Sequence, residues 1–593
     1  MLRTLAFAAL VSTVVTAPVA AQTPRGATDA GTARGLQKNQ DYVAPPDRVP
    51  AHFPAGWRFT PGGAPFVARH AVVVSDAPIA SRVGSEIMRR GGNAVDAAVA
   101  TEFALAVVYP EAGNIGGGGF MVIHMADGRN AALDYREVAP LAATRDMYVG
   151  PDGKVTDESL FGPKASGVPG SVAGLTTALA RYGTMSLSAV MQPAIRLAER
   201  GFVIDSAMAR TVAAYAHHIV AFGGAEIFVP GGQPLRAGDT LKQPALAKTL
   251  RAIARQGSKA FYQGPIAEAW TGELAKEGGI ISMEDLRRYR PIWRTPIRST
   301  YRGNTLLTMP PASSGGVTMT ETLNILEGFD SLPPFGGAGW AHLVGSAFQR
   351  AFVDRNAKLG DPAFVDVPIK ELTNKQYAAR LRATIGTRAT PTSSLKAIGE
   401  GTQTTHMSVA DARGNAVAVT TTLNELFGSS VYLASAGFFL NDEMDDFTSR
   451  PGVPNMFGLV QGEANAIAPG KRMLSAMSPT IVLDPRGRLL LVAGSRGGPR
   501  IITSTTQVIM NVLDYRMSLA DAMSAPRLHH QALPDTLRIE EHGITPAAND
   551  SLQAMGYQTS FGGGIGLVNA LMRVRGGYEG VTDPRGSGGA AGF

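Results

Sequence analysis

The chain contains no cysteine. Disulfides, thiolate metal sites and a cysteine nucleophile are therefore excluded. Export is not excluded, since an exported protein can do without disulfides. Dense Lys/Arg blocks are also missing. The net charge of +7 is spread over 593 residues, and no stretch has the basic density that grips phosphates, which argues against nucleic acid as a partner. Beyond the N-terminus no run is apolar and long enough to span a bilayer. A phosphate-binding Gly-Lys-Ser/Thr is absent as well. Asn114-Ile115-Gly116-Gly117-Gly118-Gly119 leads into an expected strand, Phe120-Met121-Val122-Ile123, whereas a phosphate loop follows a strand and opens a helix. These glycines read as close backbone packing. The acidic stretch Asn441 to Phe447 lacks the alternating spacing and closing Glu of an EF-hand.

What remains is a foldable composition, 45% hydrophobic and 17% charged, too long for one simple core. It implies two or more subregions or one large layered α/β unit. Met1-Leu2-Arg3, an apolar run from Leu5 to Ala17, and Val19-Ala20-Ala21 before Gln22 have the pattern of a cleaved secretory signal over residues 1–21. A membrane anchor is the other reading. Against it, the run is shorter than the roughly 20 residues a span needs, and Pro18 interrupts it. Residues 22–65 form a Gly-, Ala- and Pro-rich lead-in without periodicity.

Helices are expected from Pro78 to Arg90, through the all-apolar stretch Asn93 to Val108, from Val172 to Tyr182 and from Ser186 to Arg200. Pro310-Pro311-Ala312-Ser313-Ser314-Gly315-Gly316 precedes another helix. A Thr-, Ser- and Gly-rich segment up to Gln403 suits an exposed approach to a cleavage point. Hairpins are expected around Ser478 to Ala493 and near Gly566 to Gly577. His529 and His530 are adjacent, so they cannot chelate as an i, i+4 pair, and they read as structural.

The chain centres on Gln403-Thr404-Thr405-His406-Met407-Ser408-Val409-Ala410-Asp411. Polar and apolar residues alternate as in a strand. Ala412-Arg413-Gly414-Asn415 follows as a turn, and Ala416 to Thr422 as the return strand. Most Thr-rich hairpins do no chemistry. Thr404-Thr405-His406 with Ser408, followed by Gly414-Asn415-Ala416-Val417-Ala418-Val419-Thr420, however, resembles the processing site of the gamma-glutamyltransferase (glutathione hydrolase) family. The resemblance runs from about Ala71 to Asp583-Pro584-Arg585 and is densest between Thr404 and Arg500.

The resemblance implies an N-terminal-nucleophile hydrolase fold, an α/β four-layer αββα sandwich. It implies self-cleavage between Gln403 and Thr404, giving a large subunit, 66–403, and a small catalytic subunit, 404–593. Thr404 would be the nucleophile, Thr422 its support, and Gly497 and Gly498 the oxyanion pair. Arg136 and Ser475 would hold the substrate α-carboxylate, and Asn424, Glu443 and Asp446 its α-ammonium. Pro451 to Ile467 resembles the lid loop, with Phe457 where some members carry a Tyr. The expected substrates are glutathione and related γ-glutamyl compounds, the acceptors water, amino acids or dipeptides, and the location the periplasm or outside. No metal or organic cofactor is implied. In Lys471-Arg472-Met473-Leu474-Ser475-Ala476, Ala476 replaces the second of two serines common in the family, which predicts weaker hold on the α-carboxylate or a shifted substrate. An acylase for glutaryl-type amides and an unprocessed binding protein are the rival readings.

Overall fold

The computed structural model describes residues 48–60, 65–394, 404–456, 458–459 and 461–593. The expected signal peptide, most of the lead-in, Gln403 and Phe457 lie outside these. Among the described residues no helix is long and apolar enough to cross a membrane.

Two seven-stranded sheets dominate. The first runs, edge to edge, Gly589–Gly592, Val72–Ser75, Thr405–Ala410, Ala416–Thr422, Gly118–His124, Asn130–Asp134 and Ile292–Arg294. The second runs Phe66–Ala68, Gly577–Thr582, Leu567–Val574, Leu489–Arg496, Thr480–Leu483, Asn304–Thr308 and Ile297–Tyr301. Both sheets are antiparallel, and each draws strands from both sides of Thr404.

The period-2 alternation of a strand explains the layering. Val417 and Val419 join Met407, Val409, Met121 and Ile123 in a core shared with an outer helical layer that includes Pro78–Arg89, Ala94–Val108 and Leu187–Arg200. Their neighbours Ala416 and Ala418 point the other way. They meet Leu307, Ile481, Val492 and Leu571 of the second sheet. That sheet's opposite face, Leu306, Val482, Leu491 and Ala570, packs on Gly315–Glu327, Ala338–Lys358 and Arg500–Leu513. The result is helix, sheet, sheet, helix: the expected αββα sandwich. Each fully buried Val or Leu contributes about 1.5–3 kcal/mol of transfer free energy.

The helix Ala94–Val108 is buried on every side, as its unbroken apolar sequence predicts. A capping box starts it: the Asn93 side chain accepts from Val95 N and Asp96 N, and Asp96 Oδ2 accepts from Asn93 N. The glycines at 116–119 are packing residues. A Cβ on Gly117 would lie 2.1 Å from Thr422 O, and one on Gly119 2.5 Å from Thr420 O. Larger residues there would push the strand pair apart.

Candidate active site

The hairpin forms as its sequence predicts, with Thr405 opposite Thr421 and Ala410 opposite Ala416. Asp411 fixes its turn. Oδ1 accepts from Arg413 N and Asn415 N, while Oδ2 accepts from Asn415 Nδ2 and from Ala94 N at the start of the buried helix. Gly414 takes φ +89°, a conformation suited to glycine. Thr404 therefore enters its strand beside the end of the partner strand, where Thr422 sits. Thr422 Oγ1 accepts from Asn424 N at 2.7 Å.

One pocket collects Thr404, Thr422, Asn424, Arg136, Glu443, Asp446, Ser475, Ala476 and Gly498. Gly497, expected as half of an oxyanion pair, adjoins Gly498 but is not among the lining residues. Its carbonyl instead accepts from Arg500 N, and that of Gly498 from Ile501 N, which opens the helix Arg500–Leu513. The two glycines adopt φ +126° and +54°, so a side chain at either position would be strained.

Arg136 is buried and ion-paired to both Glu443 and Asp446, with Glu137 3.5 Å away. The groups expected to hold opposite ends of a substrate thus neutralise each other. Burial works against the Arg136 charge, but the carboxylates outweigh it and hold its pKa above the ordinary value. Burial also pushes Glu443 and Asp446 up, with Arg136 opposing. Glu137 rises to about 7, mainly through burial. Three carboxylates around one guanidinium leave excess negative charge, which favours retaining a proton within the cluster near neutral pH.

Asn424 has φ +81° and donates through Nδ2 to Asp442 Oδ2 at 3.1 Å. Ser475 is pinned by its main chain: its N–H donates to Ala312 O at 3.0 Å, and its carbonyl accepts from Ser314 N at 2.7 Å. Its Oγ accepts from Met477 N at 3.1 Å. The Pro310-to-Gly316 element thus braces the serine that faces the pocket.

Sequence reasoning missed Arg355. It lies in the last turn of the helix Ala338–Lys358 and reaches the pocket. Nε donates to Ser314 Oγ at 2.9 Å, and Nη1 to Asn356 Oδ1 at 2.8 Å. Nη2 has no hydrogen-bond partner among the described residues. Burial lowers its pKa to about 10, opposed by Asp446. A charged residue inside a long stretch of buried helix was the available signal. Leu459, Met477, Pro499 and Ile501 complete the wall.

His406 does not face this pocket. Its ring lies between the sheets, bonded to Thr420 Oγ1 at 2.8 Å and Ser408 Oγ at 3.2 Å, and burial lowers its pKa to about 3. His529 is structural as expected, held between Thr503 and Gln531. Among the described residues no group of acids and histidines is arranged to hold a metal ion.

A threonine at a strand start, backed by a second threonine and facing a glycine turn and a charged cluster, is the arrangement the sequence resemblance requires. Comparison with known proteins agrees: the family profile Gamma-glutamyltranspeptidase matches residues 80–593. The chain belongs to this family. A glutathione hydrolase proenzyme of Escherichia coli (strain K12) is 46% identical over 531 residues, covering 88% of this chain and 91% of that protein. Among solved structures of similar fold, a cephalosporin acylase from Bacillus halodurans has a TM-score of 0.79 at 27% identity, covering 92% of this chain and 99% of its own. The gamma-glutamyltranspeptidase of Helicobacter pylori has a TM-score of 0.54 at 42% identity, covering 56% of this chain and 96% of its own.

Proposed function

We propose that the protein is a proenzyme that cuts itself between Gln403 and Thr404 and then acts as a glutathione hydrolase and gamma-glutamyltransferase. The observation that carries this reading is the convergence of Thr404, Thr422 and Gly498 with a buried cluster of opposite charges in one pocket. Such a cluster complements a zwitterionic α-amino-acid head. Supporting it, the E. coli relative is named a proenzyme, and the solved H. pylori chain matches a share of this chain close to that of segment 66–403.

In the precursor, Thr404 Oγ attacks the Gln403 carbonyl carbon. The amide C–N bond breaks and the nitrogen becomes the free α-amine of Thr404. Water then hydrolyses the ester, leaving Gln403 with a carboxylate. The new amine, with a pKa near 8, is the general base that a hydroxyl nucleophile needs. In the mature enzyme it takes the Oγ proton as Oγ attacks the γ-carbonyl of the substrate. The oxyanion lies against the backbone N–H groups of Gly497 and Gly498. Collapse expels the leaving amine, which receives the proton. Water or an acceptor amine then resolves the γ-glutamyl ester.

Arg136, with Ser475 and Arg355, binds the α-carboxylate, while Glu443, Asp446 and the Asn424 amide oxygen bind the α-ammonium. The pocket holds only about 20 Å³, room for about one water. The substrate head therefore enters as the Arg136–Glu443 and Arg136–Asp446 pairs separate and take its two charges. Export through removal of residues 1–21 belongs to the same proposal, as do amino acids or dipeptides as acceptors.

A relative named Acylase ACY 1 proenzyme, from Pseudomonas sp. (strain V22), is 40% identical over 521 residues and favours one alternative, an acylase, here one for glutaryl-type amides. Such substrates lack the ammonium that Glu443 and Asp446 would bind. Comparing kcat/KM for γ-glutamyl and glutaryl p-nitroanilides decides between them. The γ-glutamyl compound is expected to be preferred by at least about tenfold, since one hydrogen bond to a charged group is worth about 1.5–3 kcal/mol. A preference for glutaryl would favour the acylase. Thr404→Ala is expected to remain one chain while the parent becomes two. Equal cleavage in both would overturn the self-processing step.

A further inference from the structure

We infer that Asp76 is a positioning residue for the reaction, tying the strand that carries the nucleophile to the sheet that carries the Gly497–Gly498 turn. The inference rests on the functional reading above. Asp76 follows the strand Val72–Ser75, next to the strand Thr405–Ala410 in the first sheet. It does not line the pocket.

Its carboxylate is nonetheless shared between the two sheets. Oδ2 accepts from Thr405 Oγ1 at 2.6 Å, one residue from the nucleophile. Oδ1 accepts from Asn569 Nδ2 at 3.0 Å. Asn569 belongs to the second sheet, where it pairs with Gly494 on the strand that runs into Gly497. The same Asn569 amide donates to His406 O at 2.9 Å, and Asn569 O accepts from Ser408 Oγ at 3.0 Å. His406 and Ser408 are thus bound directly to Asn569 of the opposite sheet, and Thr405 is bound to it through Asp76.

A second link reaches the oxyanion turn. Arg496, immediately before Gly497, is half-buried, with its guanidinium bonded to the Tyr109 hydroxyl. Asp76 and Glu111 are the acidic side chains whose charge supports it. Tyr109 ends the buried helix Ala94–Val108. Asp76 therefore holds Thr405 and Asn569 by hydrogen bonds, and its charge favours the Arg496 cation. It fixes the separation between Thr404 and the glycine turn. Directional bonds to a buried carboxylate fix the register of facing sheets more tightly than apolar contact does.

The test compares Asp76→Ala, Thr405→Val and Thr405→Ser with the parent. It reads the rate of self-cleavage, then kcat and KM for a γ-glutamyl p-nitroanilide on the cleaved fraction. Misplacement by about 1 Å costs about a hundredfold in rate. Asp76→Ala is expected to slow cleavage and lower kcat by about 10- to 100-fold, with KM within about twofold, because the substrate-binding charges are untouched. Thr405→Val, nearly the same shape without the hydroxyl, is expected to move kcat in the same direction, and Thr405→Ser to restore it to within about threefold. If Asp76→Ala does not fold, the Val and Ser pair decides. Parent-like cleavage and kcat in Asp76→Ala, or Val and Ser behaving alike, would overturn the inference. A parent protein that neither cleaves nor acts on γ-glutamyl amides would overturn the functional reading instead.

Discussion

Replacing Arg136 by Met removes a buried cation from among Glu137, Glu443 and Asp446. Two separate losses follow. For catalysis, a bidentate hold on the substrate carboxylate disappears. At about 1.5–3 kcal/mol per charged hydrogen bond, two such bonds amount to about 3–6 kcal/mol, or about 10²- to 10⁴-fold in kcat/KM. For stability, breaking a buried ion pair on one side costs about 3–5 kcal/mol. The stability loss depends on pH. Without Arg136 the folded-state pKa values of Glu443 and Asp446 rise further above their unfolded values. Folded protein then binds protons that unfolded protein releases, so stability falls as pH rises from the unfolded carboxylate range through the folded pKa. Urea unfolding of both proteins from pH 5 to pH 8 is expected to show the gap widening with pH. Arg136→Lys keeps the charge without the fork. It is expected to recover most of the stability but little of the activity. An Arg136→Met protein retaining kcat/KM within tenfold of the parent would refute the assignment of the carboxylate to this guanidinium.

Other outcomes follow from the same pocket and its surroundings. Ala476→Ser adds a hydroxyl to the wall beside Ser475 and is expected to lower KM for γ-glutamyl substrates by about tenfold, the worth of one charged hydrogen bond. An unchanged KM would mean that residue 476 does not reach the carboxylate. Gly498→Ala, at φ +54°, keeps the N–H but strains the turn, and is expected to lower kcat by about a hundredfold if that shifts the oxyanion donors by about 1 Å, with KM little changed. Glu102 lies buried in the helix Ala94–Val108, and burial pushes its pKa up to about 8, with Thr421 opposing. It therefore withdraws stability as pH climbs from about 4.5 to about 8. Glu102→Gln is expected to gain on the parent over that window, by roughly 5 kcal/mol at the top. Parallel stability curves would refute the buried-charge assignment.

The local elements were legible because their signals are local. The Thr-rich hairpin, the helix starts at Pro78 and Asn93 and the glycine packing at 116–119 each follow from spacing and residue type over a few positions. The hairpin expected near Gly566 to Gly577 extends further, because its second strand is Gly577–Thr582. The order of strands was legible only through resemblance, since Val72–Ser75 and Gly589–Gly592 pair across almost the whole chain. The pocket follows the same rule. Thr404, Thr422, Asn424, Glu443 and Asp446 lie close in sequence, yet their roles, like those of Arg136 and Ser475, were legible only through family motifs. Arg355 had no such motif, and only three-dimensional packing brings it to Ser314 and the pocket. The mutual pairing of Arg136 with Glu443 and Asp446 was equally hidden, because a sequence gives residue roles with substrate bound and not how those charges satisfy each other without it.

The most direct test of the account is N-terminal sequencing of every polypeptide in the purified, exported protein. Two polypeptides are expected, one of them beginning at Thr404 and carrying the free amine that the chemistry requires. A single uncut chain, or a cut at any other bond, would contradict Thr404 as an N-terminal nucleophile and the mechanism built on it.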